Sequence, residues 1–306
     1  MSQQPLDSPN SGPNPFFFQV FSFSALFLGC FLAGEFGAVA LTKTLFEIDV
    51  TQLVGQLHRD WTATEVNAMR FSAFIGAVLR FALPVVLFYT LIAKNRSFKE
   101  DFITRKPLYV RPLFYIVFIV FSALVIAYNL SEINGQLELP SVLNQMEETV
   151  DHMISQLVEQ KGIWAKIGNF LVISLSAGLI EELLFRGLIQ RGFSRLFGND
   201  HLAIWTAAFI FSFIHFEFQD FLPRMFLGAV FGFIYLYSGN LIYPILAHSF
   251  FNGLSLWAMY NIGEAATESA IQESPVYVLF MNLLFFGIWM FFFKRYFDRK
   301  KELRDE

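Results

Sequence analysis

Two adjacent glutamates, Glu181 and Glu182, stand inside an otherwise apolar stretch, SAGLIEELLFRGLIQRG, and Arg186 follows four residues after the second. Ionisable residues inside apolar spans are costly to insert and are functional candidates by default. On a helix Glu182 and Arg186 share a face, with the carboxylate N-terminal to the cation, whereas Glu181 points about 100° away from Glu182. The spacing predicts that Arg186 neutralises Glu182 and that Glu181 has no partner within its own helix. A desolvated carboxylate of that kind suits general-base chemistry.

Three further clusters lie on other apolar stretches. FSFIH, Phe211 to His215, carries one imidazole, and HSFFN places His248 and Asn252 four residues apart on one helical face. Glu35 and Arg80 form the remaining cluster, one in each of the first two spans, and are expected to make packing or interfacial contacts. Taken singly, His215 and His248 read as core histidines and Asn252 as a hydrogen-bonding link between helices, whereas a buried salt-bridged anchor is the weaker reading of the Glu pair, because one Arg cannot easily satisfy two carboxylates. Their joint occurrence favours chemistry. At a rise of about 1.5 Å per residue, Glu181, His248 and His215 fall roughly 8, 11 and 20 Å from the cytoplasmic side, which leaves a common site open.

The elements that must position these residues are membrane helices. Hydrophobic residues make up 55% of the 306, charged residues 16%, and the mean hydropathy is +0.49, outside the range of an ordinary soluble domain. The 40 phenylalanines report an apolar environment more than a chemistry. The single cysteine, Cys30, excludes an intramolecular disulfide and a cysteine-based metal site. The expected fold is all-α: a polytopic membrane protein of about eight transmembrane helices in one bundle, with an intramembrane active-site cavity. The spans are placed near 16–41, 71–93, 112–130, 164 onward through the Glu pair, 202–216, 225–237, 241–260 and 276–293, with the fifth and sixth short for a full crossing.

Loop charges orient the bundle. Lys94, Arg96, Lys99, Arg105, Lys106 and Arg111 follow the second span, whereas Glu132, Glu138, Glu147, Glu148, Asp151 and Glu159 follow the third. The positive-inside rule places the first group in the cytoplasm. Alternation then puts Arg191, Arg195 and the basic tail inside, and Glu264, Glu268 and Glu273 outside. Both termini are expected to be cytoplasmic. Residues 1–15 read as a disordered leader, 16–131 as N-terminal transmembrane helices, 164–260 as a catalytic core, and 276–306 as the last helix with a basic tail.

EELLFR, FSFIH and HSFFN match, in order, the EExxxR, FxxxH and HxxxN motifs of the CAAX protease and bacteriocin-processing family, and the chain resembles that family over roughly Trp164 to Tyr260. The resemblance implies an intramembrane endopeptidase with Glu181 activating water, His215 positioning that water, and His248 and Asn252 donating hydrogen bonds to the oxyanion. Glu182, Arg186 and Phe211 would be motif and structural support. The family often carries a metalloprotease label. A divalent ion such as zinc would draw on Glu181, His215 and His248, but no cofactor is expected, because Arg186 competes for Glu182. HExxH, GxGD and GxSG motifs are absent, leaving Glu and His for hydrolysis.

The substrate expected is a membrane-associated peptide or protein, in contact with the lipid bilayer and with no nucleic acid involved. The competing class is a catalytically silent scaffold or immunity-type protein that binds a peptide in the same cavity. A proton-coupled transporter is a weaker option, since no repeated halves are visible. The lack of organelle-targeting signals points to a bacterial plasma membrane.

Overall fold

The computed structural model describes residues 15–56, 59–93, 107–262 and 276–305, and helix is the only regular secondary structure among them. The ten helices among the described residues are numbered in chain order: α1 Pro15–Phe46, α2 Val50–Val54, α3 Ala63–Ile92, α4 Val110–Asn134, α5 Ser141–Glu159, α6 Ile163–Phe197, α7 Asp200–Phe213, α8 Phe221–Ser238, α9 Ile242–Asn261 and α10 Val276–Asp305. In hydrocarbon a chain must satisfy its backbone groups internally, and helices do so segment by segment. The protein is accordingly a helical membrane protein. Stretches of α1, α3, α4, α6, α8 and α10 are long and apolar enough to cross a bilayer, and α7 is a shorter apolar helix. All eight expected spans coincide with helices, α9 carrying the polar HSFFN face on 20 residues.

Local signals account for several boundaries. Thr62 and Glu65 form a reciprocal capping box that opens α3. Gly198, in the left-handed region at φ 62°, ends α6, and the Asn199 side chain accepts from Leu202 N to start α7. This tight corner folds α7 back along α6. One element was not expected: α5 lies in the acidic segment read as a loop. Its Met153 and Leu157, four residues apart, pack onto Trp61, Val66 and Met69 beside the start of α3, so only one face is apolar and the average hydropathy hides the helix. The basic stretch 94–106, the acidic stretch 264–273 and the leader up to residue 14 lie outside the described residues.

Two aromatic-rich cores hold the bundle. In one, α3, α6 and α7 meet around Phe81, Leu184, Phe185 and Phe211; in the other, α4, α8, α9 and α10 meet around Ile119, Phe231, Tyr243 and Phe293. Trp164, Phe21 and Phe36 project outward, as lipid-facing side chains do. Within α6 the α-helical piece Ala177–Leu184 is bracketed by wide π turns at Phe170–Ser176 and Phe185–Ile189. Such turns shift the facing of side chains along a helix and recur at functional sites. Here they flank the Glu pair.

Candidate active site

Glu182 and Arg186 are both completely buried, and Nε of Arg186 lies 2.9 Å from Oε2 of Glu182. The expected pairing along α6 is therefore present. The other carboxylate oxygen, Oε1, lies 3.0 Å from Nδ1 of His248 on α9. The Glu182 carboxylate, held by Arg186, accepts from Nδ1–H of His248, which leaves Nε2 on the side facing Glu181. The remaining charge of Arg186 faces rings, with Cζ 5.7 Å from the centroid of Phe211 and 6.0 Å from that of Phe185.

Glu181 is also buried, and its Oε2 lies 3.9 Å from Nε2 of His248. The imidazole thus stands between the two carboxylates, bonded to one and pointed at the other. Phe231 of α8 stacks on it at 4.7 Å and 17° and sets the ring plane. Phe211 links the pieces from α7: its centroid lies 4.9 Å from His215, 6.0 Å from His248 and 4.9 Å from Phe185. His215 Nδ1 lies 2.6 Å from the carbonyl of Phe211, one turn back, and donates to it, leaving Nε2 as the acceptor.

Asn252 follows His248 by one turn of α9, and its Nδ2 donates to the carbonyl of Ile173 at 3.1 Å. That carbonyl sits in the first π turn of α6, where the regular ladder is interrupted. Close by, Ser174 Oγ donates to the carbonyl of Ser249 at 2.6 Å. Gly178 makes this approach possible, because a Cβ there would lie 2.3 Å from Ser249 Oγ and 2.9 Å from Ser249 N. The Glu pair and the HSFFN face meet because α6 and α9 touch backbone to backbone at this glycine.

Several residues around the site carried no motif. His215 enters a turn in which Phe216 has φ 57°, an uncommon value for a bulky residue. Asn134 at the end of α4 braces the turn: its Nδ2 donates to the carbonyl of Phe218 at 2.6 Å and its Oδ1 accepts from Leu222 N at 3.1 Å. Glu147 of α5 accepts from Gln219 N at 2.7 Å, and Ser131 Oγ donates to Asp220 at 2.7 Å. Arg224 and Glu217 pair across the same turn at 2.5 Å. Polar residues near the α4 end and in α5 were the available signal, read only as loop charge. Glu35 and Arg80 pair with each other at 2.9 Å, and the Arg80 guanidinium also lies over Phe31 and Phe81.

Both oxygens of Glu182 are engaged, by Arg186 and by His248, and among the described residues no group of three or more His, Cys, Asp or Glu side chains is placed to hold an ion.

The fold and site define a polytopic helical membrane protein with a buried Glu–Glu–His–Arg cluster. Residues 163–254, from the start of α6 into α9, match the family model described as Type II CAAX prenyl endopeptidase Rce1-like. That stretch contains all three motifs, and it resembles the CAAX-type intramembrane proteases. Over 94 residues the chain is 31% identical to "Uncharacterized protein YpbD" of Bacillus subtilis (strain 168), covering 29% of this chain and 45% of that protein, less than half of its length. No solved structure matches the chain.

Proposed function

We propose that this chain is an intramembrane endopeptidase that hydrolyses a peptide bond of a membrane-associated protein or peptide, with Glu181 as the base for the attacking water. The observation that carries the reading is the placement of His248, held by Glu182 at Nδ1 and directed at Glu181 through Nε2. In this scheme the water oxygen bonds to the scissile carbonyl carbon while Glu181 takes its proton. The tetrahedral adduct then collapses as the proton passes to the departing amine, breaking the C–N bond. His215 Nε2 accepts from the same water. His248 in its doubly protonated form donates Nε2–H to the oxyanion, with the second N–H of Asn252 as the other donor. Placement in a bacterial plasma membrane with cytoplasmic termini, and independence from metal, belong to this proposal.

A second reading, a binding protein without catalysis, draws on one observation: the Asn252 amide already serves Ile173, and 3.9 Å separates His248 from Glu181. Peptide profiling of membranes carrying wild type or Glu181→Gln decides between them. Loss of defined products and accumulation of precursors in the variant is expected. Identical profiles with both proteins folded would leave the binding reading standing.

A further inference from the structure

Helix α8 serves both histidines of the candidate site, although none of the three motifs lies on it. Arg224, Gly228 and Phe231 follow one another at spacings of four and three residues and so share one face of the helix. Phe231 is the ring stacked on His248. At Gly228 a Cβ would lie 3.2 Å from Cα of Ala208 and 3.2 Å from Cδ1 of Phe211, so the missing side chain lets α8 close on the phenylalanine that lies against both imidazoles. Arg224 makes the third contact of this face, and it reaches the turn after His215.

Its guanidinium engages Glu217, two residues past His215, at two points. Nη1 donates to the main-chain carbonyl at 3.2 Å and Nη2 to the carboxylate at 2.5 Å. A lysine ammonium lacks this rigid fork of donors. Between His215 and Glu217 stands Phe216 at φ 57°, a conformation that a bulky residue keeps only where its surroundings hold it. The charge of Arg224 also acts on both Glu181 and His215, which places the clamp beside the reacting groups.

Stability alone does not account for the pair. The Arg224 side chain is 17% exposed and that of Glu217 22%, and an ion pair so far out of water gains little beyond its desolvation cost. Asn134 and Glu147 already brace the turn from α4 and α5. What Arg224 adds is a hold on the main chain next to His215 from the same helix face that sets the ring of His248.

We propose that Arg224 is a positioning residue for the hydrolysis, fixing His215 through the carbonyl and carboxylate of Glu217. This role rests on the peptidase reading above, in which His215 Nε2 accepts from the attacking water.

The test is steady-state cleavage of a quenched fluorogenic peptide built on a precursor from the membrane profiling, with melting temperature in detergent, for the full chain and its variants. Arg224→Met strands the Glu217 carboxylate, so melting temperature and kcat should fall together. Adding Glu217→Gln removes the stranded charge. In that double variant melting temperature should return close to wild type, while kcat stays down roughly 100-fold, the loss that a misplacement of about 1 Å causes, with KM little changed. Arg224→Lys, which keeps the charge without the fork, should recover part of kcat. Recovery of kcat along with melting temperature in the double variant would make the pair purely structural and overturn the proposal, as would a loss carried by KM alone. Should both Met variants fail to fold, Arg224→Lys decides, because wild-type kcat there would overturn it. Glu181→Gln is measured alongside: cleavage at the wild-type rate would remove the peptidase reading and this role together. An inactive Glu181→Gln beside wild-type kcat in the double variant would remove this role alone.

Discussion

His248 is hydrogen-bonded to Glu182, at 3.0 Å from Nδ1 to Oε1, and stands 3.9 Å from Glu181 through its other nitrogen. The first-named carboxylate is thus the anchor of a chain running Arg186, Glu182, His248, while the second lies at its working end. The two glutamates, adjacent in sequence, should fail in different ways when changed.

Glu181→Gln keeps the shape and removes the proton acceptor, so cleavage should be lost while the melting temperature in detergent stays near wild type. Glu182→Gln removes the charge that balances Arg186 and the acceptor that orients His248. Stranding such a buried cation costs about 3 to 5 kcal/mol, so lower melting and weak activity are expected together. Combining Glu182→Gln with Arg186→Met should recover part of the stability but little activity, because His248 still lacks its acceptor. A stable, inactive Glu182→Gln beside an unstable, active Glu181→Gln would exchange the two roles.

Gly178→Ala tests the contact between α6 and α9. The new methyl would meet the backbone nitrogen of Ser249 at 2.9 Å as well as its Oγ at 2.3 Å. The helices must part, at a cost of roughly 1 to 3 kcal/mol typical of overpacking, and His248 moves with α9. Adding Ser249→Ala relieves only the hydroxyl contact, so melting temperature should recover partly. Full recovery would show that the backbones have room to spare.

Asn134→Leu removes both hydrogen bonds that brace the turn after His215 and leaves the Phe218 carbonyl and Leu222 N–H without that partner. The loss should be about 1 to 3 kcal/mol, chiefly from the Leu222 N–H, since the Phe218 carbonyl still accepts from Phe221 N at 3.4 Å. If the turn positions His215, kcat should fall with KM little changed. A change in KM alone would indicate that the turn contacts substrate.

Strong chelators should leave cleavage intact, because both oxygens of Glu182 are engaged by Arg186 and His248 within the protein. The measurement is cleavage rate after chelation and after adding back zinc. Loss on chelation with stoichiometric recovery would make Glu181, His215 and His248 ligands.

Topology is open to cysteine labelling after Cys30→Ala. Cysteines introduced between residues 94 and 106 should react from the cytoplasmic side, and one at Glu148 from the other. Reaction at Glu148 from the cytoplasm alone would invert the bundle.

How far the site was legible in sequence differs from residue to residue. Glu182 with Arg186 was readable because a four-residue spacing on a helix is a local geometric fact, and it survived the π turn that begins at Phe185. The six helices long and apolar enough to cross a bilayer were readable because lipid enforces length and hydrophobicity on each segment separately. The helix α5 was not, since its burial depends on a distant partner surface around Trp61 and Val66.

The amino-acid sequence by itself determined which residues could carry charge inside the membrane and which of them share a helical face. Only the tertiary structure decided that His248 bonds Glu182, that Asn252 reaches the Ile173 carbonyl, that Phe211 joins both histidines, and that Asn134 braces the turn after His215. The physical reason is reach. Spacing along one helix is set by its own backbone, whereas contact between helices depends on how closely their axes approach. For α6 and α9 that distance rests on the missing Cβ atoms at Gly178 and Gly253 and on the Ile173 carbonyl in the first π turn, which accepts from Asn252.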